Sequence, residues 1–457
     1  MSENTEETPG PLESLKILFS ASRGYWMVNQ INFGDGVAYF GMLTLMTIYL
    51  QDNVGFSTAI STKAVSIFSG LVTITMALGG GWVSDRLGVR RALATAVGAT
   101  LVGRLILVSS PLAGSEVLVH TLAWASIIIM GSGEGILQPA LYSGVKEYTD
   151  KRTATLGYAF IYTIMNLGIA VGAFVSPLAR KWWAAHQQNV SLTDDPRAGI
   201  TGAFWIFILI TAGMLALHFM FFTKRVEDED RIVKPEEMAP EPAMSFMEKV
   251  RSLPIMDIRF LFFILVLLPV RTLFAHQFLT MPDYITRAFP TEVGAHLEWI
   301  NGLNPVVITI GVPLIALFTL RAKVVDMMII GTAVSAAATF LLIGDPNLTK
   351  LVIYMVVFAL GEAIWSSRFL EYIADIAPAN RVGIYMGIAS IPWFLAKATT
   401  GLYAGNMLDK FVPITGPQNP GQMWLIYGAI ACISPVGLIL ARKWLLTGVK
   451  NEGVGGE

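Results

Sequence analysis

Gly79-Gly80-Gly81-Trp82-Val83-Ser84-Asp85-Arg86-Leu87-Gly88-Val89-Arg90-Arg91 joins two apolar runs, and its composition says what kind of solvent surrounds them. Glycines at such a place let two helices approach closely. Asp85 is placed to face the positive end of a neighbouring helix, and Arg86, Arg90 and Arg91 suit the headgroup layer on one side of a bilayer. The flanking runs are each about 20 residues long, the length needed to cross roughly 30 Å of hydrocarbon.

With these two, the chain has twelve such apolar runs, at about 25–50, 63–84, 91–111, 117–142, 154–179, 201–223, 257–284, 297–320, 325–344, 350–376, 383–408 and 422–445. Apolar residues make up 54% of the 457 positions and charged residues 14%, against roughly 25% charge in soluble domains. These runs do not alternate apolar with polar residues as barrel strands do, so the spans are helices. The segment KRVEDEDRIVKPEEMAPEPAMSFMEKVRS at 224–252 is dense in charge and proline and must lie outside the bilayer. It divides the chain into 1–223, a linker 224–256 and 257–457, two bundles of six helices each.

One set of alternate loops collects Arg86, Arg90, Arg91, Lys146, Lys151, Arg152, Lys224, Arg225, Arg231, Lys234, Lys249, Arg251, Arg321, Lys323 and Arg381. The opposite set has little beyond Lys181, Arg197, Arg287, Lys350 and Lys410. Cationic loops are retained in the cytoplasm, so both termini are expected there, in a multi-pass protein of a bacterial inner membrane. The acidic start Met1–Gly10 is unlike a cleavable signal peptide. A net charge of −1 excludes a nucleic-acid footprint. Cys432 stands alone, which excludes a disulfide framework or thiolate cage. Metal-ligand clusters, phosphate-cradling loops and nucleophile elbows are missing, so neither enzyme chemistry nor a cofactor is expected.

The 79–91 loop resembles the G-x-x-x-D-R-x-G-R-R signature of the major facilitator superfamily, in the position where that family carries it. Four further stretches resemble one branch, the proton-coupled oligopeptide transporters. Asp35-Gly36-Val37-Ala38-Tyr39-Phe40-Gly41-Met42 is similar to E-R-F-x-Y-Y-G-M. Phe160 to Gly168 is similar to F-x-x-x-Y-x-x-I-N-x-G with the tyrosine shifted to Tyr162, and Leu303-Asn304-Pro305 with Pro313 resembles the eighth helix. Gly361-Glu362, Ala377-Pro378 and Met386-Gly387 resemble the tenth helix and the start of the eleventh. The resemblance implies an all-α fold of two pseudo-symmetric six-helix bundles and solute transport by alternating access with proton coupling. Two departures stand out. The first-helix E-x-x-E-R is replaced by Asn32, Asp35 and Gly36, and the fourth-helix lysine before proline is Gln138 before Pro139, so both cations tied to carboxylate binding are gone.

A charge in hydrocarbon costs about 2.5–3.5 kcal/mol on insertion scales, so each should face a partner or a watery cavity. Asp35 shares a helix face with Asn32 and Tyr39, and Glu134 lies one turn before Gln138. Arg104 and Arg271 need compensation that Asp35, Glu134 or Glu362 can supply; the spacing leaves the pairing open. By resemblance, Glu362 binds a substrate ammonium, with Trp365 and Phe369 at i+3 and i+7 on the same face, and Asn166 and Asn304 offer amides to the substrate. The expected substrate site is thus Asn32, Tyr39, Gln138, Asn166, Asn304, Glu362 and Trp365. Asp35, Glu134 and Glu362 are the expected proton carriers. Asp85, Arg86, Arg90 and Arg91 are expected to gate by resemblance, and Arg368 and Glu371 by their place in a charged ladder with Asp375. The partners implied are a small polar, amine-bearing or peptide-like solute, membrane lipid and protons. Efflux of cationic amphiphiles and a non-transporting membrane sensor are the alternative readings.

Overall fold

The computed structural model describes residues 20–76, 81–149, 154–232, 256–318, 322–376 and 382–447. Twelve helical spans occupy them: α1 Arg23–Asp52, α2 Thr58–Thr75, α3 Val89–Ser109, α4 Glu116–Tyr148, α5 Ala154–Trp183 and α6 Ile200–Phe221 come first. After the linker come α7 Ile258–Leu279, α8 Leu297–Phe318, α9 Val324–Thr339, α10 Leu348–Ile376, α11 Val382–Phe411 and α12 Pro420–Leu446. Ten of these described helices are long and apolar enough to cross a membrane on their own; α8 and α11 complete the set. Their outer faces carry exposed apolar side chains such as Ile60, Ile67, Leu209, Met220, Ile439 and Leu440. A surface of that kind suits lipid, where every backbone polar group must be satisfied within a helix.

Serine and aspartate side chains begin several spans: Ser22 accepts from the Tyr25 amide, Ser57 from Ile60, and Asp257 from Arg259 and Phe260. Prolines decide where spans break. The apolar stretch expected over 257–284 is three pieces, interrupted at Leu267 ahead of Pro269 and at Thr280 ahead of Pro282, because a ring at the first helical turn has no N–H to donate backward. The last piece, Met281–Ala288, turns polar and carries Asp283 and Arg287. Pro392, by contrast, sits inside an uninterrupted α11.

The two halves repeat one packing plan. α1 packs on α5 and α6, α2 on α4, and α3 on α4 and α6; six helices later, α7 packs on α11 and α12, α8 on α10, and α9 on α10 and α12. The halves meet through α2 against α11 and α5 against α8, contacts that exchange under the same six-helix shift. Segment 224–232, expected as linker, instead forms the helix Lys224–Asp230 on the ends of the first half: Asp230 accepts from the Gly24 amide at 2.8 Å, and the Ile232 amide donates to the Glu147 carbonyl at 2.9 Å. Residues 233–255 and both termini lie outside the described residues.

Small residues set the closest approaches. A Cβ at Gly36 would meet the Met165 carbonyl, and one at Gly168 would meet the Phe33 carbonyl and the Gly36 Cα, so α1 and α5 touch backbone to backbone. Gly172 extends this contact within the first half, whereas Gly401 and Gly405 press on Thr62, Ser66 and Ala59 of α2 across the halves. Replacing Gly168 by alanine is expected to cost about 1–3 kcal/mol, since no rotamer change relieves a clash with backbone. Gly98→Ala, where a Cβ meets nothing within 4 Å, is the control and should be neutral or slightly stabilising. Thermal unfolding of the two variants in detergent checks both; equal melting temperatures would show that the α1–α5 contact is not tight.

Candidate functional site

A central cavity of about 60 Å³, room for a few water molecules, lies where α1, α5, α7, α8, α10 and α11 converge. Its polar wall includes Tyr162, Asn166, Gln277, Glu298, Asn304 and Glu362, and its apolar wall includes Phe40, Phe274, Phe278 and Trp393. Asn304 Nδ2 on α8 donates to Glu362 Oε2 on α10 at 3.0 Å, and Tyr162 on α5 lies beside the same carboxylate. Asn166 Nδ2 donates back to the Tyr162 carbonyl at 2.9 Å, which fixes its amide in the wall. Among the described residues, two wall groups have no partner, Gln277 Nε2 and Asn301 Oδ1. Such orphans cost about 1–3 kcal/mol each unless water or a ligand meets them.

Asp35 and Glu134 do not line this cavity. They sit in a second buried cluster in the first half, where the Arg104 guanidinium on α3 reaches Asp35 of α1 at 3.8 Å and Glu134 of α4 at 3.3 Å and also donates to Thr211 of α6. The two carboxyls are neighbours. Lys397 of α11 reaches over from the other half: its Nζ donates to the Tyr39 hydroxyl at 3.1 Å and lies 4.9–5.9 Å from the rings of Tyr39, Phe40, Phe278, Trp393 and Phe394. Two acids and two cations thus share one enclosure that straddles the halves, with Tyr39 as the link. Of the three expected proton carriers, Glu362 borders the cavity, whereas Asp35 and Glu134 border the arginine.

Other expected site residues separate in the same way. Asn32 Nδ2 donates to the Ile161 carbonyl at 2.6 Å, which ties α1 to α5, and neither Asn32 nor the half-buried Gln138 is in the cavity wall. Trp365 is buried one turn beyond Glu362, against Phe274 and the Arg271 guanidinium. In the 81–91 turn, Arg90 Nε bonds Glu227 Oε2 at 3.0 Å, and Arg231 joins Glu147 at 2.8 Å, so this arginine-rich face is braced within the first half. Arg86 and Arg91 are exposed and Arg368 is buried. Gly79 and Gly80, and the side chains of Asp85, Glu371 and Asp375, lie outside the described residues.

The opposite face carries a clamp that the sequence reading did not anticipate. Arg197, between α5 and α6, holds Asp52 at 2.7 and 2.8 Å and reaches Asp283 of the other half at 3.3 Å. Arg287 holds Asp283 at 2.9 Å and returns to Thr58 at 2.9 Å and Gln51 at 3.1 Å in the first half. Deeper in, Arg180 of α5 pairs with Glu298 of α8 at 2.7 Å, with Ser176 donating to the other carboxylate oxygen at 3.1 Å. Burial disfavours the charge on Arg197, but the Asp52 hydrogen bond and the nearby Asp283 outweigh it and raise its pKa. A signal was present: Arg197 and Arg287 are two of the few cations on the face depleted of them.

The chain is 24% identical over 506 aligned residues to dipeptide and tripeptide permease A of Klebsiella pneumoniae (strain 342), covering 96% of this chain and 95% of that one. Its fold is similar to a peptide transporter POT solved with sulfate, at TM-score 0.71 and 15% identity over 96% of this chain and 99% of that one. It is similar to the nucleoside transporter NupG as well, at TM-score 0.69 and 13% identity over 91% and 99%. The shared fold therefore leaves the solute to the side chains described above. The family model of the Major Facilitator Superfamily matches residues 30–289, more than half of the chain, and the chain belongs to that superfamily.

Proposed function

We propose that this chain is a proton-coupled secondary transporter that carries a small polar, amine-bearing solute through the central cavity by alternating access. The observation that carries the reading is Glu362: a carboxylate in the wall between the halves, held by Asn304, with no lysine or arginine nitrogen within 4.0 Å among the described residues. A solute ammonium would complete that site, with aromatic surface beside it. The permease relatives make peptide-like solutes the first class to test.

Coupling would work through the other cluster. Asp35 and Glu134 neutralise Arg104 and, at longer range, Lys397, whose bond to Tyr39 joins the halves. A proton taken by either acid removes a negative charge that holds the lysine in place, which weakens the link and favours the other arrangement of the halves. The arginine-rich face is then the cytoplasmic one, with both termini on it, in the inner membrane of a bacterium. The Arg197–Arg287 clamp closes the outer side.

Uptake into proteoliposomes tests the coupling. An imposed inward proton gradient should drive accumulation of a labelled small amine or peptide, and accumulation indifferent to the gradient overturns it. Glu362→Gln replaces a charge-assisted bond of about 1.5–3 kcal/mol, so affinity for such a solute should fall roughly 10- to 100-fold. Unchanged affinity would remove Glu362 from the binding site.

A further inference from the structure

Arg271, one turn before the cavity residue Phe274 on α7, is a buried cation that nothing in the proposed cycle uses. It is 4% exposed, and among the described residues no carboxylate lies within 4.0 Å of it and no side-chain hydrogen bond reaches its guanidinium. Its neighbours are aromatic, with the guanidinium carbon 4.4 Å from the Phe369 ring centre and 5.5 Å from that of Trp365. Its Nε–H is an orphan donor, and so is the Nε1–H of Trp365 beside it. A buried, unpaired arginine costs several kcal/mol unless a partner completes it. Stacking on the two rings stabilises the cation but satisfies none of its N–H donors.

The position of this pair suggests what the missing partner is. α7 runs away from the arginine-rich face and α10 runs toward it, so Arg271 (before Phe274) and Trp365 (after Glu362) both lie one turn from the cavity wall on that same side. One turn is about 5.4 Å. Glu362 in the wall and Arg271 one turn away act on each other through space but make no ion-pair contact, and a molecule with an ammonium at one end and a carboxylate at the other would fit between them. Two extended residues span at most about 7 Å, the right order for that gap.

We propose that Arg271 and Trp365 form the carboxylate subsite of the solute site, paired with Glu362 as the ammonium subsite. This rests on the transport reading above and specifies its recognition: the cation absent from the first and fourth helices is supplied from the seventh. Arg271 suits the role because its planar fork can hold a carboxylate with two parallel bonds while its face stays on Phe369.

The test is binding of L-alanyl-L-alanine, its C-terminal amide and its N-acetyl derivative to the purified protein, read by calorimetry. The wild type should bind the free dipeptide at least tenfold more tightly than the amide. Arg271→Gln should weaken the free dipeptide by tenfold or more and leave the amide unchanged, which erases that preference, and Arg271→Lys should keep part of it. Glu362→Gln should instead weaken the free dipeptide and the amide alike. An amide that binds the wild type as well as the free acid overturns the proposal, even where the arginine variants do not fold. An Arg271→Gln loss of equal size for both ligands overturns it too, since a purely structural arginine would behave that way. If no form of dialanine binds while another amine is driven into proteoliposomes by the proton gradient, the subsite fails and the transport reading stands. Selective binding without gradient-driven uptake would sustain the subsite and overturn the coupled transport.

Discussion

Replacing Arg104 by methionine is expected to destabilise the purified protein by about 3–5 kcal/mol, because it leaves Asp35 and Glu134 side by side in a buried enclosure without their guanidinium. The thermal midpoint in detergent reads the effect. The cost should come from uncompensated charge, not lost volume, since methionine nearly fills the space. Arg104→Met combined with Asp35→Asn and Glu134→Gln should therefore recover most of the loss, as apolar or neutral replacements of whole buried ion clusters often do. That combined variant should also show uptake indifferent to the proton gradient, which separates the structural part of the cluster from its coupling role. A single Arg104→Met variant that melts like the wild type would mean the two carboxyls do not depend on this arginine.

The second large effect is expected at the clamp. Arg180→Met removes the buried link between α5 and α8 and leaves Glu298 without its cation, so the balance should shift toward opening at that face. A shift of about 1–1.4 kcal/mol changes the open population by roughly five- to tenfold. A cysteine at Ala173 in the cavity wall, in a chain whose Cys432 is replaced by serine, reports it through labelling by a membrane-impermeant maleimide from that side. Glu298→Gln keeps an acceptor for Ser176 while removing the ion pair, and should raise labelling in the same direction. Labelling rates equal to the parent in both variants would show that the Arg197 and Arg287 network closes this face without help from Arg180.

The two expected effects differ in how much of their basis could be read before the structure was known. Arg104, Asp35 and Glu134 were each visible as charges inside apolar runs, and so was the need for compensation. Their meeting was not, because it depends on how α1, α3 and α4 are rotated about their axes. Asn32 and Asp35 share a face, yet only Asp35 reaches the arginine while Asn32 ties α1 to the Ile161 carbonyl. Lys397 sits among aromatic rings, bonded to a tyrosine of the other half, a place that only the packing of α11 against α1 and α7 gives it. Arg180, Arg197 and Arg287 drew no functional reading, because two of them lie in or next to loops and the third near a helix end, where cations are ordinary.

The amino-acid order by itself determined the twelve spans and the polar break between their two groups. Hydrocarbon tolerates only backbone whose hydrogen bonds are closed within the helix, so length and apolarity mark ten of the described crossings, and the packing plan shared by the halves supplies α8 and α11. Which charges meet was decided by tertiary packing alone. Inside a bilayer the apolar side chains gain little from choosing one neighbour over another, and glycine contacts such as Gly36 on Gly168 set how near two helices come. That nearness and rotation placed Glu362 in the cavity wall and Arg271 one turn away among aromatic rings, and put Asp35 and Glu134 around Arg104.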